Sequence, residues 1–96
     1  MNVSFTPQAR DDLIAIRDWI ARDDKRAADR VVSRVIQTAM MFGQFPMLGR
    51  SGQVAGTREF SVTGLPYLIV YRLASESEID VLTVLHTRRR YPSATE

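Results

Sequence analysis

Among the 96 residues of this chain there is no cysteine and only one histidine, His86. The absence of thiols excludes a disulfide framework and any thiolate metal site, and one imidazole leaves few ligands for a transition metal. We therefore expect a protein that carries neither a metal ion nor another cofactor.

Long apolar runs are also missing. No stretch approaches the roughly 20 residues of a membrane-spanning helix. The N-terminus does not show the basic-then-apolar pattern of a secretory signal. With 45% apolar and 25% charged residues, the composition is that of an ordinary globular protein. These properties predict one domain over residues 1–96, located in the cytoplasm and without a membrane partner.

Lysine is nearly absent, since Lys25 is the only one among 13 basic residues. The other basic residues are arginines, whose positive charge persists at any working pH. Up to Arg34 they alternate with aspartates, as on a solvated helix face. Between Gly43 and Arg72 the only acidic residue is Glu59, so an anionic partner is expected to contact the second half of the chain.

The first half of the chain has the periodicity of two amphipathic helices. "NVSF" alternates like a short strand, and Thr6-Pro7 is a favourable helix start because threonine caps and proline fits the first turn. Apolar residues then recur every three or four positions, first from Ala9 to Ile20 and again from Ala28 to Phe42. Asp23-Asp24 predicts the second helix start, and Gly43 predicts its C-terminal cap.

Strand patterns dominate the second half. After the glycine- and proline-containing loop "QFPMLGRSGQVAG", the segments "TREFSV", "PYLIVYRL" and "IDVLTVLH" are each bounded by turn residues. The order β-α-α-β-β-β predicts an α+β domain in which a helical hairpin packs on one face of a small antiparallel sheet. In the last strand, strict alternation would place Leu82, Val84 and His86 on one face.

The candidate functional residues lie on these strands and in the tail. Arg58 and Glu59 are consecutive and should point to opposite faces. Arg72 interrupts an apolar strand, so it needs a partner or an open face. His86 is compatible with a structural role at a strand end or with proton transfer. RNA cleavage would need a base, an acid and cations, and Glu59, His86 and Tyr91 with the arginines could supply them.

Three segments together resemble a known family. "ARDDLIAIRDWIA", then "FPMLGR" with "GTREFSVTGLPYLIVYR", then "IDVLTVLHTRRRYP" are similar in order and spacing to toxins of type II toxin–antitoxin modules. These are the RelE/ParE superfamily, and the match is to its ParE-like branch. The chain departs from that branch at Phe60, Thr87 and Tyr91, where leucine, glycine and tryptophan are common.

The resemblance implies a growth inhibitor without chemistry of its own, which binds DNA gyrase and forms a hetero-oligomer with a cognate antitoxin. As alternatives it implies a ribosome-dependent mRNA endonuclease, as in the RelE branch, or an inactive partner that only holds antitoxin. For a nuclease the catalytic candidates are Glu59, Arg58, His86 and Tyr91. The expected target-binding residues are Arg58, Arg72, His86, Arg88, Arg89, Arg90 and Tyr91. The expected antitoxin-binding residues are Leu13, Ile16, Trp19, Ile20, Val32 and Val35.

Overall fold

A computed structural model describes residues 1–88 and contains two helices and five strands. The helices are α1 (Pro7–Ala21) and α2 (Lys25–Met40), and α2 continues into a 3₁₀ turn at Met41–Gly43. The strands are β1 (Asn2–Phe5), β2 (Arg50–Ser51), β3 (Thr57–Ser61), β4 (Tyr67–Leu73) and β5 (Glu78–His86). The predicted α+β architecture is confirmed.

Both helices begin where the capping residues predict. The Thr6 hydroxyl accepts the Ala9 N–H at 3.2 Å, and the Asp24 carboxylate accepts the Ala27 N–H at 3.1 Å. The predicted cap at Gly43 is wrong, because α2 ends earlier and Gly43 does not adopt the left-handed conformation. Its small size serves packing instead, since a Cβ there would lie 2.6 Å from the Met1 carbonyl oxygen.

The sheet has the order β1-β5-β4-β3-β2 and is mixed. The prediction of a purely antiparallel sheet is wrong at β1, which pairs in parallel with β5. A parallel neighbour needs a long crossover, and the helical hairpin and the β3–β4 pair together supply one. Strand β2 was not predicted because two residues are too few to show alternation.

The core lies between the helices and one face of the sheet. Its largest fully buried side chains are Tyr71 and Phe42, whose rings stack at 3.9 Å between centroids. In β5 the predicted alternation fails, because a register shift places Tyr71 opposite Val81 but Val70 opposite Thr83. As a result both Val81 and Val84 are buried, although three positions separate them.

The outer edge of β5 is satisfied by β1, by Asp12 and by the Thr6 hydroxyl, which donates to the Leu82 carbonyl at 3.0 Å. β1 covers it only as far as Val81. Beyond that point Asp12 on α1 accepts the Val84 N–H at 3.0 Å and also the Thr83 hydroxyl. Asp12 therefore attaches the first helix to the strand that carries the C-terminal residues.

We expect Asp12→Ala to destabilise the fold, because the Asp12 carboxylate loses its hydrogen bonds from Thr83 and Val84 on β5 and from the exposed Gln8. Such bonds contribute about 1.5–3 kcal/mol. For a chain of this size about 2 kcal/mol corresponds to a fall in Tm of roughly 8–16 °C. Thermal unfolding followed by circular dichroism measures the change. Asp11→Ala, at the exposed neighbouring position, is the matched control and should change Tm by only a few degrees.

Candidate functional site

Arg58 belongs to a network that fixes the loop before β2. In the sheet register it lies beside Tyr71, on the face that the helices cover. Its guanidinium donates to the Gly49 carbonyl. The Tyr71 hydroxyl donates to the Pro46 carbonyl at 2.9 Å and accepts the Gly49 N–H at 2.8 Å. Arg58 is therefore engaged in holding residues 46–49 against the core.

Glu59 points to the opposite face and holds the next loop. Its side chain is only 13% exposed, and its carboxylate accepts the Gln53 N–H at 3.2 Å. The Arg50 guanidinium lies 3.6 Å away. The first contact orders the segment between β2 and β3, and the second joins β2 to β3, so the described partners of Glu59 are structural.

Arg72 interrupts an apolar strand, and it has both a charged partner and an open face. Its side chain is exposed on the face away from the helices, and it lies 3.5 Å from the Asp80 carboxylate on β5. An exposed pair of this kind contributes little to stability. Arg72 is thus available at the surface.

His86 ends β5 and is partly buried. It lies opposite Tyr67 in the register, with the two rings edge to face at 5.3 Å between centroids. Its Nδ1 accepts the Arg88 N–H at 3.0 Å, which orients the chain as it leaves the strand. The contacts of His86 are those of a strand-end anchor.

The candidate residues form two groups at opposite ends of β4. Arg58 and Arg72 lie at its C-terminal end, whereas Tyr67, at its first position, marks the end where His86 and Arg88 lie. Five residues of strand separate these ends, about 17 Å. Glu59 and His86 also point to opposite faces. They therefore cannot both reach the reacting atoms of one substrate bound on either face, as a general base and a general acid must.

The end that carries Arg88 has a basic surface that sequence reasoning missed. Thr87 donates its N–H to the Pro66 carbonyl at 2.9 Å, and Arg34 on α2 donates to the Thr63 carbonyl at 2.8 Å. A groove of about 600 Å³ runs along α2 here, with Val31 and Leu65 at its apolar part. Arg30 and Arg34 line it together with Asp29, whose carboxylate lies 3.0 Å from the Arg17 guanidinium, and the four-residue spacing of the two arginines was the available signal.

The predicted antitoxin-binding residues are distributed between core and surface. Ile16 and Val35 are buried in the core, so their side chains do not lie on the surface. Leu13, Ile20 and Val32 pack against the core and are partly buried. Trp19 is 49% exposed, with the Arg22 guanidinium 4.8 Å above its ring.

Three predicted residues, Arg89, Arg90 and Tyr91, lie outside the described residues. Within residues 1–88 no three acidic or histidine side chains come together as a metal-binding group. Neither of the helices in this range is long and apolar enough to cross a membrane.

Comparison with known proteins identifies the family. The sequence model of the ParE toxin of the type II toxin–antitoxin system parDE matches residues 3–91. The chain belongs to the ParE toxin family. A candidate toxin named Y4kP, from Sinorhizobium fredii (strain NBRC 101917 / NGR234), is 33% identical over 90 residues, which are 94% of this chain and 92% of that protein.

A solved structure has the same fold as this ParE toxin. It is described as the chromosomal ParDE TA system from P. aeruginosa, and the compared chain is 22% identical with a TM-score of 0.79. The match covers 90% of this chain and 95% of the other. The protein is thus a ParE toxin of a type II toxin–antitoxin system, a type of system in which the toxin has an antitoxin partner.

The network around Arg58 predicts different effects for two arginines of this ParE toxin. We expect Arg58→Ala to lower the free energy of unfolding by about 1–2 kcal/mol, because the Gly49 carbonyl loses its donor. Arg72→Ala should lower it by less than about 1 kcal/mol, since its ion pair is exposed. Urea unfolding of both variants measures the difference. Equal stabilities would contradict the structural role of Arg58.

Proposed function

We propose that this ParE toxin arrests growth by binding DNA gyrase and that a cognate antitoxin keeps it inactive. The observation that carries the proposal is the match to the ParE toxin model over residues 3–91, nearly the whole chain. Gyrase acts on DNA in the cytoplasm, so the proposal also places the toxin there.

The geometry of the candidate residues supports binding rather than cleavage. Glu59 holds the loop before β3, and His86 lies on the other face of the sheet near Tyr67. General acid–base catalysis would need both groups within hydrogen-bond distance of the reacting atoms. A protein that only binds its target does not need an acid and a base near common reacting atoms.

We place the target contact at the end of the molecule that carries Arg88. Arg88 is exposed, and Arg89, Arg90 and Tyr91 follow it directly in the chain. Arginine and tyrosine are among the residues that contribute most to protein interfaces. Arg58 is less suited to this role because its guanidinium is engaged by Gly49.

Purified toxin incubated with gyrase and relaxed plasmid tests the function directly. We expect inhibition of supercoiling and accumulation of linear DNA after protease treatment, which reports a trapped cleavage complex. Unchanged supercoiling and no trapped complex would overturn the proposal. Ribosome-stimulated mRNA cleavage that is lost in His86→Ala would then indicate the RelE-like alternative. Unimpaired growth after induction without antitoxin would indicate an inactive partner.

Substitution of the arginine run tests the position of the contact. In the triple variant Arg88→Ala, Arg89→Ala, Arg90→Ala we expect gyrase inhibition to weaken at least tenfold, because an interface arginine can contribute about 2 kcal/mol. The dose of toxin that halves supercoiling gives the measurement. Arg72→Ala, at the opposite end of β4, is the matched control and should inhibit like the unaltered toxin. Equal loss in both variants would contradict the proposed position.

We propose that the antitoxin contacts the helical hairpin at Trp19, whose ring is exposed. We expect Trp19→Ala to weaken antitoxin binding at least tenfold, as loss of a large aromatic contact does. Isothermal titration of purified toxin with its antitoxin measures the affinity. Ile14→Ala, at a position of α1 that is 58% exposed, is the control. If Ile14→Ala weakens binding and Trp19→Ala does not, the hairpin contact is wrongly placed.

A further inference from the structure

Helix α2 carries more positive charge than the chain as a whole. Its four basic residues and one acidic residue give it a net charge of +3, whereas the whole chain has +2. Three of the four basic residues are arginines at every fourth position, and side chains with this spacing lie on one side of a helix. They are Arg26, Arg30 and Arg34, all exposed, and we call them the arginine row.

Within residues 1–88, no carboxylate forms an ion pair with the arginine row. Asp29, the acidic residue of α2, instead lies 3.0 Å from the Arg17 guanidinium on α1. The Asp24 carboxylate caps the helix by accepting the Ala27 N–H. Arg34 donates to a backbone carbonyl, and this neutral acceptor leaves its charge in place. The row therefore presents a positive field that persists at any working pH.

The arginine row belongs to the same basic surface as Arg88. Arg30 and Arg34 line the groove along α2 together with Leu65. Leu65 also lines a smaller depression of about 390 Å³, which it shares with Thr87 and Arg88. Outside α2 and the three consecutive arginines that follow Thr87, the chain has six basic and ten acidic residues. The positive charge is thus concentrated on this one surface.

The composition of the surface favours nucleic acid over protein as its occupant. Ser33 and Gln37, which line the groove beside the arginines, are polar and exposed. Val31 and Leu65 are partly buried and pack against the core. The centre of a protein–protein interface is apolar and depleted of charge, whereas a protein–DNA interface is polar and strongly positive. The surface along α2 has the second composition.

The length of the arginine row fits a DNA backbone. From Arg26 to Arg34 the helix rises by about 12 Å, at roughly 1.5 Å per residue. One strand of a DNA duplex carries a phosphate about every 3.4 Å along the axis, so about three or four phosphates lie within this length. A guanidinium can donate two hydrogen bonds to the oxygens of one phosphate. Each of the three arginines can therefore contact a phosphate at the same time.

We propose that the arginine row contacts the phosphate backbone of the DNA duplex that gyrase holds. The inference rests on the proposed function and deepens it, because it gives the toxin a DNA contact beside its contact with gyrase. Phosphates carry no sequence information, so the contact is independent of DNA sequence. A toxin that touches both enzyme and DNA binds the gyrase–DNA complex more tightly than gyrase alone, and it strengthens the binding of DNA by the same factor.

Binding of labelled toxin to gyrase, with and without a bound linear duplex, tests the inference. In the double variant Arg26→Gln, Arg30→Gln we expect affinity for the gyrase–DNA complex to fall at least tenfold at low salt. Affinity for DNA-free gyrase should stay unchanged. The slope of log affinity against log salt concentration should become shallower by about 2, because each lost phosphate contact removes about 0.9. Arg34 is kept because it holds the turn at Thr63.

Two further variants separate the charge of the row from other effects. Arg50→Gln, Arg72→Gln removes the same charge from exposed positions on β2 and β4, and it should bind the gyrase–DNA complex like the unaltered toxin. Arg26→Lys, Arg30→Lys keeps the charge and should retain the salt dependence. Thermal unfolding verifies the fold of each variant.

Equal affinity of the glutamine variant of the row and the unaltered toxin for the gyrase–DNA complex would overturn the inference. An equal loss toward DNA-free gyrase would do the same, since it would place the row in the protein contact. Weaker antitoxin binding with unchanged affinity for gyrase–DNA would assign the row to the antitoxin. If the unaltered toxin binds neither form of gyrase, the proposed function fails and the inference fails with it. That result is distinguishable, because in the other three the unaltered toxin still binds gyrase.

Discussion

The buried phenol of Tyr71 is the contact on which the rest of this structure depends. Its ring stacks on Phe42 and so joins β4 to the end of the helical hairpin. Its hydroxyl bonds to Pro46 and Gly49 and thereby fixes the path of the chain into the sheet edge. Burial of a hydroxyl is tolerated only when its hydrogen bonds are made, so core and loop must form together. A Cβ at position 49 would lie 2.8 Å from this ring, which explains the glycine.

Strand β5 connects that core with the surface assigned to the target. β1 covers the first part of its outer edge and Asp12 the next part, so the strand stays paired almost to His86. Thr87 is then bonded to Pro66 in the turn before β4. The backbone is therefore fixed as far as Thr87, the residue before Arg88. The arginine run therefore begins at a fixed point, which lowers the ordering cost of a contact there.

Local patterns in the sequence predicted the helices and most of the strands, because capping and periodicity are local. They could not predict the parallel pairing of β1, since that depends on where the chain returns 76 residues later. The register shift in β5 was hidden for a similar reason, because it arises from pairing with β4. The family resemblance named Arg58 as a target contact, whereas its partner is a loop carbonyl that no spacing reveals. Periodicity identified Ile16 and Val35 as apolar but did not separate the core from an exposed seam.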